Sequence, residues 1–525
     1  MPTFEPQTPR IRFVYHQLQS PAFRQWVPLI LIVILGTILR LDQIGTESIW
    51  ADEHSSIRDA ESLKLKPRLF YSLFLRFWMV FGESDSWLRL SSVPFSLGVI
   101  VLVYLLTLKV ANRWTALMAA LMMAVSPFFV GYAQEIRMYS MSTFFSLLGT
   151  VALTDALEKP TKQSIVVWIM GRLFSLLATP INVLLIVPDL ILIIWRFKNQ
   201  KETLIRIGQG LIVLGLIWLP FAYTLIKAIP NFLNDWIAKT PKPNLLLIPG
   251  KLINFTAFWN IKVVRAWYES SQNLTGLGWE KLVYYFYVFY NLILVFLLIL
   301  ALLKVIKQVR RKSTQPKLLW IATWAIVPFL MLLSGSYISG SLMVDRYLAF
   351  IAPYYLILIT VGFQTIFQKY RLIAWGLAVV YLIALTGGLT HYYTHLYHDD
   401  WKGIVALIEA EKKPGDAIGF YALGWEPHLA LPRYYQGSLP LQSLANPHID
   451  YPQKLNEEFA SKILDSLPKN HSRYWLVLYP ETDVEMIQKV MKEKYEVLRH
   501  EVYPNLMNGS PQVFLIQPKE AKILK

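Results

Sequence analysis

WADEHSSIRDA, residues 50–60, follows the first long apolar run of the chain (26–41), and YAQEIRMYS, residues 132–140, falls between the third and fourth such runs. Counting spans between them sets both motifs on the same side of a membrane. Carboxylates and arginines are costly to bury at a membrane surface, so their convergence on one face is a functional-site hypothesis. Together they could take a proton from a hydroxyl and hold a phosphate.

The rest of the sequence fits a membrane setting. The chain has 525 residues, 54% of them hydrophobic, with 18 Trp and no Cys. Its mean hydropathy of +0.39 is too high for an ordinary soluble protein. Without cysteine, disulfides and thiolate chemistry are excluded. The net charge of +16 does not mark a nucleic-acid binder, because residues 396–525 carry 15 Lys and Arg against 17 Asp and Glu. The basic excess flanks apolar runs instead of clustering on a soluble face. The first run comes late and no small-residue cleavage site follows it, as expected of an uncleaved anchor.

A bilayer core about 30 Å thick takes roughly 20 apolar helical residues. The pattern predicts a polytopic α-helical membrane protein with eleven spans, near 26–41, 86–110, 115–131, 137–156, 163–178, 180–196, 205–228, 282–306, 317–335, 346–367 and 372–393. Basic residues fill alternate loops: Arg10, Arg12 and Arg24, then Lys109 and Arg113, Lys159 and Lys162, Arg196 to Arg206, Lys304 to Lys317, and Lys369 and Arg371. The positive-inside rule makes the N-terminus cytoplasmic. The expected organisation is a transmembrane domain over 1–395, with outward loops 42–85 and 229–281, and an extracytoplasmic domain over 396–525.

In the first outward loop, RLFYSLFLRFWMVFG (68–82) reads as a helix lying in the interface. In the second, Trp236, Trp259, Trp267 and Trp279 read as interfacial anchors. Beyond residue 396, segments 416–422, 473–479, 495–503 and 512–518 read as strands, and 401–413 and 482–495 as helices, so a small α/β domain is expected. It shows no glycine-rich phosphate loop, metal-ligand spacing or nucleophile elbow. Neither a cofactor nor a metal is implied.

Asp52 and Glu53 are adjacent, so on a helix they point about 100° apart. One can face a pocket while the other caps or pairs, and a carboxylate beside a hydroxyl can serve as general base. The plainer reading makes Asp52 the cap of the helix that follows. Glu135, Arg137 and Tyr139 stand at alternate positions, where an interfacial ion pair with a Tyr anchor is the plainer reading. Arg58, Lys64, Lys66, Arg68, Arg89, Arg137 and Arg346 share the outward face. Guanidinium groups suit a phosphate, which accepts paired hydrogen bonds. Attraction to anionic headgroups would explain Lys64 and Arg68 equally well. His391, His395 and His398 read as a solvated helix end. Arg172 and Asp189 fall at similar depth on neighbouring spans and are expected to pair.

At these residues the chain resembles the GT-C class of lipid-linked-sugar glycosyltransferases, being similar to the bacterial aminoarabinose transferase of lipid A and the protein O-mannosyltransferases. WADEHSSIRDA resembles their Asp-Glu motif, FGESDSWLRLSS (81–92) their entry to the second span, and YAQEIRMYS their second-loop motif. DRYLAFIAPYY (345–355) resembles their late Arg-Tyr segment, and HDDWKGIVALI (398–408) with PGDAI (414–418) the start of their outer domain. Two segments depart from the pattern: KLKPRLF (64–70) stands where many members carry His-Pro-Pro, and ATPINVLL (178–185) where many carry Thr-His-Tyr.

The resemblance implies an inverting transfer from a polyprenyl-phosphate sugar to a hydroxyl acceptor on the outer face of a bacterial plasma membrane. It implies Asp52 as general base with Glu53 in support, Arg137 and Arg346 as candidates for the donor phosphate, and Glu135 orienting Arg137. Lys66 and Tyr139 complete the candidate substrate site. Two rivals stand beside this reading: a secondary transporter with Arg172 and Asp189 on its substrate path, and a non-catalytic envelope scaffold. Transporters usually show repeated halves, and no repeat is visible here.

Overall fold

The computed structural model describes residues 25–64, 66–234, 242–259, 278–311, 315–422, 425–445, 455–479, 484–504 and 510–519. They pack as two units. One takes residues up to Asp42 and Asp59–Tyr392; the other takes Gln43–Arg58 and Tyr393 onward. The division differs from a single cut after residue 395, because the loop carrying WADEHSSIR packs with the C-terminal unit.

The first unit is helical and membrane-embedded. Among the described residues, seven helices are long and apolar enough to cross a bilayer: Asp85–Val110, Tyr139–Glu158, Pro180–Phe197, Lys201–Lys227, Trp279–Arg310, Lys317–Ile338 and Arg371–Thr394. An eighth results if Arg113–Val125 and Pro127–Ala133, bent by 57°, count as one span. The three other predicted spans also meet helices, but weaker ones by this measure. Val27–Leu41 has 15 residues, about 22 Å at the α-helical rise. Lys162–Ala178 has 17. Ala352–Lys369 has 18, but its apolar run is interrupted by Thr360, Gln364, Thr365 and Gln368.

Close helix contacts set the frame. A Cβ placed on Gly171 would stand 2.6 Å from the backbone nitrogen of Gly149, so Tyr139–Glu158 and Lys162–Ala178 meet backbone to backbone. Small residues at such crossings are the usual means of packing membrane helices. Beside this crossing Arg172 pairs with Asp189, as the sequence predicts, and both are fully buried. Trp168 Nε1 and Trp324 Nε1 each donate to Asp189 at 2.8 Å, and Arg172 donates to Ser146 O and Thr150 Oγ1. A pair saturated in this way is a structural clamp.

The second unit carries a five-stranded sheet. Strands β1 (Asp416–Tyr421), β2 (Leu441–Ser443), β3 (Arg473–Leu478), β4 (Tyr495–Val502) and β5 (Gln512–Pro518) lie in the order β2-β1-β3-β5-β4. β1 is parallel to β2 and β3, whereas β5 is antiparallel to β3 and β4. Strand side chains alternate between faces. Leu476 and Leu478 join a core under helices Glu457–Asp465 and Val484–Lys494. Trp475 and Val477 join the opposite core, under Trp401–Glu411 and Glu426–Tyr434. The four predicted strands and two predicted helices are present. The three-residue edge strand β2 was too short to read, and Glu426–Tyr434 was hidden by Pro427 and Pro432.

Two expectations need correction. His391 and His398 are buried, not solvated. His391 packs against Phe258, with ring centroids 5.1 Å apart, and His398 bonds Glu47 at 2.8 Å. Trp259 is not simply an anchor at the interface. Its indole lies on Gly131, where a Cβ would come within 2.2 Å of the ring, and against Tyr132 at 4.8 Å. Trp279 is 74% exposed at the start of its helix. Trp236 and Trp267 lie outside the described residues.

Candidate active site

The site on the first unit is built around a broken helix. Arg113–Val125 ends at Ser126, and Pro127 opens the next segment at the first helical position, where its missing N–H costs nothing. A helix that stops inside a protein leaves carbonyls needing donors. Arg40, fully buried, supplies them: Nη1 donates to Ala124 O at 2.7 Å and Nη2 to Met123 O at 3.3 Å. Its Nε donates to Ser96 Oγ at 2.8 Å. A cation there also suits the negative end of the helix dipole. Sequence reading missed Arg40, although a lone arginine near the end of an apolar run was a visible signal.

The break delivers the middle of YAQEIRMYS, residues 134–138, as a buried, non-helical turn between Pro127–Ala133 and Tyr139–Glu158. Gln134 pins it, its Nε2 donating to Asp42 O at 2.6 Å and Arg40 O at 3.1 Å, while Tyr392 donates to its Oε1 at 2.8 Å. Ser92 Oγ donates to Glu135 O at 2.7 Å, and Ser140 Oγ to Tyr132 O at 2.9 Å. Glu135, Arg137 and Tyr139 are all buried, so the turn is not an interfacial anchor. Arg137 Nη2 donates to Tyr139 Oη at 3.3 Å, with the guanidinium carbon 5.5 Å from the ring centroid.

Tyr132 ties this turn to the late Arg-Tyr segment. Its ring meets that of Tyr139 at 5.0 Å, and it feels the charges of Glu135, Asp345 and Arg346. Asp345 is paired with Lys251, and the Arg346 guanidinium carbon is 5.7 Å from the Tyr347 ring. Tyr132 thus lies within electrostatic reach of both the turn and Arg346. A small cavity opens beside them, lined by Ser96, Met123, Tyr132, Tyr139, Ser140 and Thr143 among others. Lys66 is held by Asp59, to which Arg68 also comes within 3.8 Å. The Lys66 side chain stays 44% exposed, so it can still meet a solute.

Asp52 and Glu53 lie in the second unit, on helix Ala51–Ser62. Their surroundings differ. Glu53 is fully buried and its Oε2 accepts the backbone N–H of Trp50 at 3.3 Å. That is the backward half of a capping box. Asp52 is only half-buried, and its carbonyl takes the hydroxyl of Ser56 at 3.2 Å.

Among the described residues no group of three or more His, Asp or Glu is placed to hold a metal ion. No protein-family model matches the chain, and neither does any curated protein. Solved structures do match in fold. ArnT from Cupriavidus metallidurans bound to undecaprenyl phosphate aligns with a TM-score of 0.52 at 13% identity, over 93% of this chain and 97% of that one. The same protein in the apo state aligns with a TM-score of 0.53 at 12% identity, over 94% and 98%. The Archaeoglobus fulgidus oligosaccharyltransferase, complexed with Zn and sulfate, aligns with a TM-score of 0.50 at 14% identity, over 92% of this chain and 72% of that one. The chain has the GT-C fold. At such low identity the likeness is one of fold, and the chemistry must be argued from the residues.

Proposed function

We propose that this protein transfers a sugar from a polyprenyl-phosphate donor to a hydroxyl acceptor on the outer face of the membrane. The observation that carries the reading is the buried Arg137 in the turn at the helix break, its guanidinium on the Tyr139 hydroxyl. A guanidinium presents its donors in a planar fork that suits a phosphate. The fold supports the same reading, since ArnT bound to undecaprenyl phosphate shares it.

In this scheme the acceptor oxygen attacks the anomeric carbon as its proton passes to Asp52. The bond from that carbon to the phosphate oxygen breaks, and polyprenyl phosphate leaves with the electron pair, inverting the centre. Charge grows on the phosphate as the bond breaks, where Arg137, Arg346 and Lys66 stabilise it. Glu135 orients Arg137, Tyr139 holds its guanidinium, and Glu53 fixes the helix that bears Asp52. The full arrangement has eleven spans, an extracytoplasmic C-terminal domain and a site on the outer face of a bacterial plasma membrane, in line with the charged loops.

The deciding test is direct. Purified protein is given a polyprenyl-phosphate-linked sugar and a hydroxyl acceptor pool, and release of polyprenyl phosphate is followed by mass spectrometry. Transfer is expected. No release from any such donor, with lipid-linked sugars unchanged between cells with and without the protein, would refute the reading and favour the scaffold.

A further inference from the structure

Residues 43–58 lie at the end of a membrane helix and have little structure of their own before Ala51, yet they are held at many points. Glu47 accepts the backbone N–H of Tyr397 at 2.7 Å and bonds His398 Nδ1 at 2.8 Å, across about 350 residues of chain. Trp50 stacks on the His398 ring at 4.5 Å. Lys402 donates its backbone N–H to Ser48 Oγ at 3.0 Å and its Nζ to Gly45 O at 2.6 Å. Arg58 lies over the Trp425 ring at 5.2 Å.

One helix meets the backbone twice. Glu426, at the start of Glu426–Tyr434, lies beside the N–H of Ala51, the first residue of the helix that bears Asp52 and Glu53. Tyr434, at its end, accepts the N–H of Ile49 through its hydroxyl at 2.8 Å. Glu426 is itself fixed by Trp401 Nε1 at 3.3 Å, and it is 6% exposed. Burying a carboxyl is unfavourable unless it is bonded; Glu426 is bonded to Trp401 and sits beside the N–H that opens the helix bearing the acidic pair.

We infer that the C-terminal domain is the template for the Asp52–Glu53 loop, with Glu426 and Tyr434 as positioning residues for the general base. This rests on the reading of Asp52 as base. It assigns the domain a task inside the reaction, distinct from recognising the acceptor. A base displaced by about an ångström can cost roughly 100-fold in rate, which is the penalty this clamp prevents.

The test uses the full-length protein in detergent, with Glu426→Ala, Glu426→Gln, Tyr434→Phe and Asp52→Asn. Hydrogen exchange is read at the amides of residues 49–54, and kcat and donor KM are measured in parallel. Glu426→Ala should speed exchange at these amides at least about tenfold by local opening. It should lower kcat by roughly 10- to 100-fold while donor KM stays within about twofold. Glu426→Gln keeps an acceptor and should restore both. Should Glu426→Ala not fold, Tyr434→Phe carries the test through the Ile49 amide, with a smaller change in the same sense. Unchanged exchange, freed exchange with unchanged kcat, or a Gln variant as impaired as Ala would each overturn the inference. Full transfer by Asp52→Asn would sink the base assignment alone, and the loop's dependence on Glu426 would still be decided by exchange and kcat.

Discussion

Arg172 holds Asp189 by two parallel hydrogen bonds, Nε to Oδ2 at 2.6 Å and Nη2 to Oδ1 at 2.9 Å, with both side chains fully buried. Removing one partner leaves an uncompensated charge inside the helix bundle. Arg172→Leu or Asp189→Asn should therefore cost roughly 3–5 kcal/mol. Thermal melts in detergent check this, and the double replacement by apolar residues should be milder than either single change. Single variants that melt like the wild type would contradict the clamp.

Glu426 gives the second unit a pH signature. Burial, reinforced by the nearby charge of Asp399, lifts its carboxyl from 4.5 to about 7. Between these values the folded chain keeps a proton that the unfolded chain has lost. This contribution to stability is thus full below about pH 4.5 and disappears as pH rises towards 7. Above pH 7 the ionised group costs about 3 kcal/mol relative to an exposed one. Glu426→Gln should raise the melting temperature at pH 8 and change it little at pH 5. Equal effects at the two values would show that Glu426 does not titrate in this range.

Much of this was legible in the sequence. Alternation in RYWLVLY gave a strand with two buried faces, as Leu476 and Trp475 show on opposite sides of the sheet. The Arg172–Asp189 pair followed from depth alone. The break at Ser126–Pro127 was hidden, because a Ser-Pro step inside an apolar run leaves mean hydropathy nearly unchanged. The attachment of residues 43–58 to the C-terminal unit could not be read at all. It depends on pairings such as Glu47 with His398, hundreds of residues apart, and nothing in local periodicity reports those. For the same reason Tyr434 escaped notice: it acts on a backbone N–H, which carries no sequence signal of its own.

Orientation can be checked independently of activity. Basic loops on alternate sides predict residues 1–25 inside and 396–525 outside. Reporter fusions after residue 525 and protease access in sealed vesicles should both report an outer C-terminal domain. A cytoplasmic domain would contradict an outward-facing site.

Arg137 tests the phosphate site. Its guanidinium reaches the Tyr139 hydroxyl at 3.3 Å from a turn held by Ser92 and Gln134. Lysine keeps the charge but not the planar fork that matches a phosphate. Arg137→Lys should raise donor KM by about tenfold, the loss of roughly one charge-assisted hydrogen bond. Steady-state kinetics with a polyprenyl-phosphate sugar would measure it. A KM equal to that of the wild type would remove Arg137 from the donor site.

Asp52 is the sharpest case, because its neighbour is a built-in control. Both carboxylates stand on helix Ala51–Ser62, but Glu53 is buried and spends an oxygen on the Trp50 N–H, whereas Asp52 is half-buried. Asp52→Asn keeps the shape and removes the proton acceptor. It should lower kcat by roughly 100-fold or more, the range for losing a general base, with donor KM little changed. Glu53→Gln keeps an acceptor for Trp50 and should cost less in kcat. Raising the pH should not rescue Asp52→Asn, since the amide cannot ionise. If purified Asp52→Asn transfers sugar at a near-normal rate while Glu53→Gln does not, the base is Glu53, and the cap it forms with Trp50 becomes part of the reaction cycle.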